Sequence, residues 1–182
     1  DGDDDIPNLP AITSDAMAPL RELLADEQVE KILHNVKYDM LVLERAGAPL
    51  GGPLTDTMLA SYLLDPSRRS HGLDYLAMEI LAHKTTPYSE VAGKGRAQIS
   101  FAEVELEAAR DYACEDADCT WRLWARFGPE LEEHGLTELL RTLEMPLVPV
   151  LVRMEEEGIG IDVDFFREFS TRLRRELGLI EE

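Results

Sequence analysis

The chain has 182 residues, 45% of them apolar, with 37 acidic against 18 basic side chains and a formal net charge of −19 at pH 7. That length suits one medium domain, or one domain and the start of another, with enough apolar material for a core. The charge excludes broad, non-specific attraction to nucleic acid, which draws on a basic surface, but not a nuclease, whose metal site must be acidic.

The first residue is Asp1 rather than Met, which points to a processed or excised chain. No run approaches the roughly 18 apolar residues of a membrane span, and no basic-then-apolar leader opens the sequence. Asp1, Asp3, Asp4 and Asp5 cluster among turn formers, so residues 1–13 read as an acidic linker. A metal-binding Asp-x-Asp there lacks the flanking strand that would fix it. Ser14 or Asp15 opens a short helix with Pro19 near its start and Leu20, Leu23 and Leu24 facing in. Val29 to Val36 mixes β-branched and apolar residues and predicts a short strand ending at His34-Asn35. The helix after it, Val36 to Arg45, stops at Gly47 with Pro49 beyond. On it Val36, Asp39, Met40 and Leu43 share a face, which puts one carboxylate in an apolar stripe.

Gly51-Gly52-Pro53 is a turn, Leu54-Thr55 is extended, and Asp56 is placed to cap a helix from Thr57 to Leu64 that Asp65-Pro66 ends. Leu73, Leu76, Ala77, Ile80 and Leu81 give the next helix a plain core stripe. His83 to Ile99 has a local basic bias, with Lys84, Lys94 and Arg96 around Tyr88 and a Gly93-Lys94-Gly95 hinge. It reads equally as a surface excursion or as an arm that holds a single-stranded end by phosphate contact and base stacking. Gly93-Lys94-Gly95 lacks the spacing and strand–helix setting of a phosphate-binding P-loop.

Ser100-Phe101-Ala102-Glu103 matches a capping box, so a long helix is expected from Phe101 to about Phe127. Ala109, Tyr112, Ala113, Asp116, Ala117 and Thr120 fall on its small, inward face, while Asp111, Glu115 and Asp118 form a stripe facing water. Trp121 and Trp124 read as core anchors. Cys114 and Cys119, on this one helix, are badly aimed for a disulfide and read as reduced thiols of a cytoplasmic protein. From Leu139 the pattern changes: Leu143, Leu147, Val150, Leu151 and Met154 keep helical spacing through Pro146 and Pro149, which should kink the helix. Gly158 stops it, and Asp162 or Asp164 starts a more basic last helix containing Phe165, Phe166, Phe169 and Leu173.

A lone Tyr-x-x-x-Asp is most simply a salt-bridged aspartate. Here, however, two inward carboxylates, Asp39 and Asp116, recur on two helices, each near a tyrosine (Tyr38, Tyr112). Burying a bare charge is costly, and one shared divalent cation would account for both.

HNVKYD (His34 to Asp39), TDTMLASYLL (Thr55 to Leu64), HKTTPYSEVAGKG (His83 to Gly95) and YACEDAD (Tyr112 to Asp118) occur in one order. Together they resemble the 3′→5′ proofreading exonuclease domain of the bacterial family A DNA polymerases, the DNA polymerase I family. EMPLVPVLVRMEEEGIGID (Glu144 to Asp162) resembles the entry into the polymerase domain. The resemblance covers nearly everything after about residue 15. It implies an α/β, ribonuclease H-like exonuclease fold of the DEDD type over 14–138, with the beginning of a polymerase domain over 139–182. In that family four carboxylates hold two divalent metals that activate a water and stabilise the leaving 3′ oxygen. By position, Asp39 and Asp116 would be catalytic metal ligands for Mg²⁺, with Mn²⁺ or Zn²⁺ as alternatives. Tyr112 would orient the attacking water. Asn35 and Tyr38 would line the site for the terminal nucleotides, Tyr88 would stack, and Lys94 and Arg96 would help bind phosphate.

The family's first motif, an Asp-x-Glu on a strand, lies several dozen residues upstream of the second. Only 38 residues precede Asp39, and none forms a strand carrying Asp-x-Glu. The expectation is therefore an N-terminally truncated, monomeric piece of a DNA-binding enzyme, with two of four carboxylates absent and little activity alone. Its partners would be a single-stranded 3′ end or primer-template, with deoxynucleotides used by the polymerase part. Three readings compete: a ribonuclease D-like exoribonuclease of the same superfamily, a non-catalytic exonuclease-like scaffold, and an acidic helical interaction domain unrelated to nucleases, which would leave the two inward carboxylates unexplained.

Overall fold

A computed structural model of the chain describes residues 9–181, and the acidic cluster at Asp1 to Asn8 lies outside them. The first helix, α1 (Ala18–Ala25), follows a 3₁₀ turn at Asp15–Met17 and carries Pro19 in its first turn, where a missing N–H costs nothing. Leu20 and Leu23 were expected to face in, but both are exposed. Strand β1 (Lys31–Leu33) is shorter than the expected Val29 to Val36, and Asn35 explains where it ends. Its φ of 65° turns the chain through the left-handed region, which Asn tolerates better than most residues. Helix α2 (Val36–Arg45) begins at once and closes at Gly47, φ 79°, as its sequence signals demand.

Strand β2 (Leu54–Asp56) pairs with β1 in parallel, with Ile32 opposite Thr55 and Leu33 opposite Asp56. Parallel neighbours need a crossover, and α2 supplies it. The return turn runs close under the end of α1. A Cβ on Gly51 would meet the Ala25 carbonyl oxygen at 2.4 Å, so only glycine fits there. The Lys31 ammonium ties the turn from the other side through the carbonyls of Asp26 and Gly51.

Helices α3 (Thr57–Leu64) and α4 (Leu73–Leu81) follow, then a single turn α5 (Tyr88–Val91) within the segment that leads to the long helix α6 (Leu106–Glu133). The capping box at Ser100 forms as expected, but it caps a 3₁₀ turn, Phe101–Glu103. Val104 then turns extended to bury its side chain, which delays α6 to Leu106. At its far end α6 runs past the expected Phe127 and through Pro129. Phe127 and Leu131, four apart and fully buried, hold it helical against the roughly 3 kcal/mol that an internal proline costs. With Leu123, Leu76, Ala60 and Leu140 they form the main core. Trp124 packs against this core as expected. Trp121 does not: it is 62% exposed, because it lies two residues, and so about half a turn, from buried Leu123 on α6.

After α7 (Thr137–Leu139), residues Leu140–Glu144 widen into a π turn before α8 (Met145–Glu157). The wider turn makes room for Pro146, whose ring would otherwise crowd the carbonyl four residues back. Val148 and Val152 meet Val36 in a second core. The chain divides into two compact units, Asp1–Val152 and Arg153–Glu182. The second contains helix α9 (Val163–Glu181), capped by Asp162, whose carboxylate accepts the Phe165 amide at 2.9 Å. No helix among the described residues is long and apolar enough to cross a membrane.

Candidate functional site

The site is built on the corner where β1 turns into α2. Asp56, at the end of β2, is 3% exposed and accepts three backbone amides: Asn35 and Val36 at 3.0 Å and Met58 at 2.8 Å. One carboxylate thus satisfies unpaired N–H groups at the start of both α2 and α3. The cap fixes α2, and Asp39, in its first turn, faces a cavity of about 690 Å³ lined also by Glu30, His34, Asn35, Asp116 and Trp121. Burial, with the Asp56 charge behind it, pushes the Asp39 carboxyl up to about 6.

The Thr57 hydroxyl donates to the Leu33 carbonyl at 3.1 Å, so at 2.8 Å it accepts from His34 Nδ1. Burial lowers the imidazole pKa.

The far wall of the cavity is α6. Asp116 enters it half-buried, and burial raises its carboxyl while the Tyr112 phenol opposes the shift. Tyr112, one turn earlier, is pushed up to about 12 by burial and by the Asp116 charge. The two also share a smaller cleft of about 340 Å³ with Asp74, from the first turn of α4.

Two carboxylates on separate helices, each held away from water, therefore face one cavity. Their hard oxygens suit Mg²⁺ or Mn²⁺, which bind one or two carboxylates together with substrate phosphate. Among the described residues no group of three or more His, Cys, Asp or Glu could hold a metal. Asp39 and Asp116 would thus be partial ligands, with phosphate oxygens or other donors completing the shell.

The remaining expected residues scatter. Asn35 lines the main cavity. Tyr38 is 65% exposed and lines neither cleft. Tyr88 stacks on Phe101 at 6.0 Å and meets the Tyr112 ring edge-on at 6.1 Å. Lys94 and Arg96 are exposed around the 3₁₀ turn Gly95–Ala97 and line neither cleft.

Glu115 is a correction. Expected to face water, it accepts the Thr86 amide and pairs with His83, and its side chain is 21% exposed. The small residues Ala113 and Ala117, taken as inward, are exposed instead. The spacing Glu115, Cys119, Leu123, Phe127 carried the signal, because large apolar residues mark a buried face better than alanines do. Phe101 and Asp74 had no comparable signal.

A family model described as 3′-5′ exonuclease matches residues 3–132. DNA polymerase I of Rhizobium leguminosarum is 45% identical over 163 residues, 90% of this chain and 16% of that protein. DNA polymerase I of Pseudomonas aeruginosa is 39% identical over 165 residues, 89% of this chain and 18% of that protein. The chain thus spans about a sixth of the length of these relatives. Among solved structures, Brucella melitensis NrnC with bound Mg²⁺ superposes with a TM-score of 0.62 at 27% identity, over 76% of this chain and 64% of that one. The POL domain of Pol1 from M. smegmatis, in complex with DNA primer-template and dNTP, gives 0.62 at 28% identity, over 87% of this chain and 24% of that one. The fold is the α/β, ribonuclease H-like exonuclease fold.

Proposed function

Because the chain belongs to the 3′-5′ exonuclease family whose members include the exonuclease segment of bacterial DNA polymerase I, we propose that it forms the nucleotide-removing site of such an enzyme. The site would trim the 3′ end of a single DNA strand as the proofreading partner of template-directed synthesis in replication and repair. One observation carries this reading: Asp39 and Asp116, from two helices, line one cavity, with Tyr112 against Asp116. A divalent cation there, Mg²⁺ or Mn²⁺, would stabilise the charge that develops on the scissile phosphate.

The rest falls to the chain's own residues. Asp39 and Asp116 would hold the cation with their carboxylate oxygens, and above about pH 6 Asp39 is ionised. Tyr112 keeps its proton at any physiological pH, so it serves as a hydrogen-bond donor that orients water or phosphate and not as a general base. Asn35, beside Asp39, contacts the terminal nucleotide, and Tyr38 reaches further along the strand. Tyr88, Lys94 and Arg96 contact the single strand outside the cavity. A second cation would need carboxylates beyond those described, such as an upstream Asp-x-Glu. The enzyme is proposed to be a cytoplasmic monomer.

The test incubates 5′-labelled single-stranded DNA with this chain and Mg²⁺ or Mn²⁺. Beside it runs a version extended upstream with the corresponding segment of the Rhizobium relative, and an Asp116→Ala copy of each. Shortening from the 3′ end by the extended version, abolished by Asp116→Ala, supports the reading. If neither version cuts, a non-catalytic scaffold takes its place. A second reading, a nuclease of very short oligonucleotides, is favoured by the likeness to NrnC, one structure of which is bound to pGG (TM-score 0.62, 26% identity). Preference for pGG over longer DNA in the same assay would select it.

A further inference from the structure

The segment between α4 and α6 brings Tyr88 to the edge of Tyr112, and a carboxylate one residue from Asp116 ties it there. Glu115 accepts the Thr86 backbone amide at 2.7 Å and lies 2.7 Å from His83 Nε2. Between these two contacts Thr85, buried, donates its hydroxyl to Asp74 at 2.8 Å. Two carboxylates therefore hold three of the four residues from His83 to Thr86. Pro87 follows and opens α5, whose first residue is Tyr88. The segment closes on itself where the Ile99 amide returns to the Ala92 carbonyl at 2.9 Å, and Phe101 then stacks on Tyr88.

The backbone here belongs to no sheet, so the Thr86 N–H depends on a side chain for its partner. Glu115 is that side chain. Tyr112 stands on α6 and keeps its place without the segment, whereas Tyr88 is carried into position by the strap and meets Phe101 and Tyr112 only once it is there. Asp39 and Asp116 likewise gain nothing from the strap, since both stand on helices of the cavity wall.

We infer that Glu115 is a positioning residue: through the His83–Thr86 strap it sets Tyr88 beside Tyr112 as a stacking wall for a base of a single DNA strand. The inference rests on the exonuclease reading above and adds to it a residue that touches neither substrate nor metal.

The test is a double-mutant cycle. Binding of a labelled hexathymidylate is followed by fluorescence anisotropy in EDTA, so that no chemistry intervenes. Glu115→Ala and Tyr88→Ala should each weaken binding about tenfold, the scale of one lost base–aromatic stack. The double variant should be no weaker than Tyr88→Ala alone, because both changes remove the same contact. Glu115→Gln, whose amide oxygen still accepts the Thr86 N–H, should restore most of the affinity. In the upstream-extended version with Mn²⁺, Glu115→Ala should raise KM by a larger factor than it lowers kcat. If Glu115→Ala does not fold, His83→Ala enters the same cycle with Tyr88→Ala.

Additive losses, an unaffected Glu115→Ala, or a Glu115→Gln as damaging as the alanine would each overturn the positioning role while leaving the exonuclease reading intact. An upstream-extended wild-type version that neither binds nor cuts a single strand would instead remove that reading, and this inference with it.

Discussion

Asp56 and Val36 meet across the β1–α2 corner: the Val36 amide donates to Asp56 Oδ2 at 3.0 Å, with both residues buried. The same carboxylate takes the Asn35 and Met58 amides, so its loss would leave three N–H groups without their acceptor. Asp56→Ala should cost about 2–4 kcal/mol, more than an ordinary cap, because the acceptor is charged and the amides lie in the interior. Urea unfolding measures it. Asp56→Asn, which keeps one acceptor oxygen, should recover part of the loss. A cost under 1 kcal/mol for the alanine would mean that water replaces the cap.

Asp39 makes stability depend on pH in a stated direction. Its folded pKa, about 6, lies above the roughly 3.9 of an unfolded aspartate, so between those values the folded chain holds the extra proton. Stability from this group therefore falls as pH rises from about 4 to about 6 and is flat beyond. Glu115 acts in the opposite sense: its pKa is lowered, first by the Thr86 amide and then by His83. Its contribution is present above the usual carboxylate range and is lost as pH falls. Unfolding curves from pH 7 down to below the usual carboxylate range should lose the Asp39 component in Asp39→Asn and the Glu115 component in Glu115→Gln.

A divalent cation should reverse the Asp39 penalty. Mn²⁺ is expected to raise the melting temperature at pH 7.5, where Asp39 is ionised, by more than at pH 5. Asp39→Asn and Asp116→Asn should each reduce the shift. An equal shift in wild type and both variants would place the ion elsewhere.

Lys84, Lys94 and Arg96 are exposed on the segment between α4 and α6, in a chain whose net charge is −19. If they supply phosphate contacts, changing all three to Gln should reduce the slope of log affinity against log salt by about 2, near 0.7 per contact on a single strand. Anisotropy titrations from 50 to 200 mM salt give the slope directly. An unchanged slope would exclude this segment from phosphate binding.

Phe127 is fully buried between α3, α4 and α6 in the main core. Phe127→Ala should cost about 3–5 kcal/mol in urea unfolding. A cost near zero would mean that the core refills around the gap.

What the sequence alone determined lies within single elements. The stops at Gly47 and Gly158, the Asp56 cap on α3, and the inward placement of Asp39 among Val36 and Met40 follow from short-range geometry, where neighbours three and four apart share a face. The ordered motifs carried the family. Tertiary structure decided how each element is rotated against its neighbours and which distant groups meet. On α6 the periodicity fixed the angle between Glu115 and Asp116 but not which of them the core would draw in, and packing at Leu123 and Phe127 turned Glu115 toward His83 and left Trp121 outside. The second role of Asp56, the Tyr88–Tyr112 contact and the Asp74–Thr85 bond join residues 11 to 24 positions apart in the chain. Helical and strand periods relate residues within one element and have no term for such pairs. Only the folded packing of α2, α4 and α6 around the parallel pair brings them together.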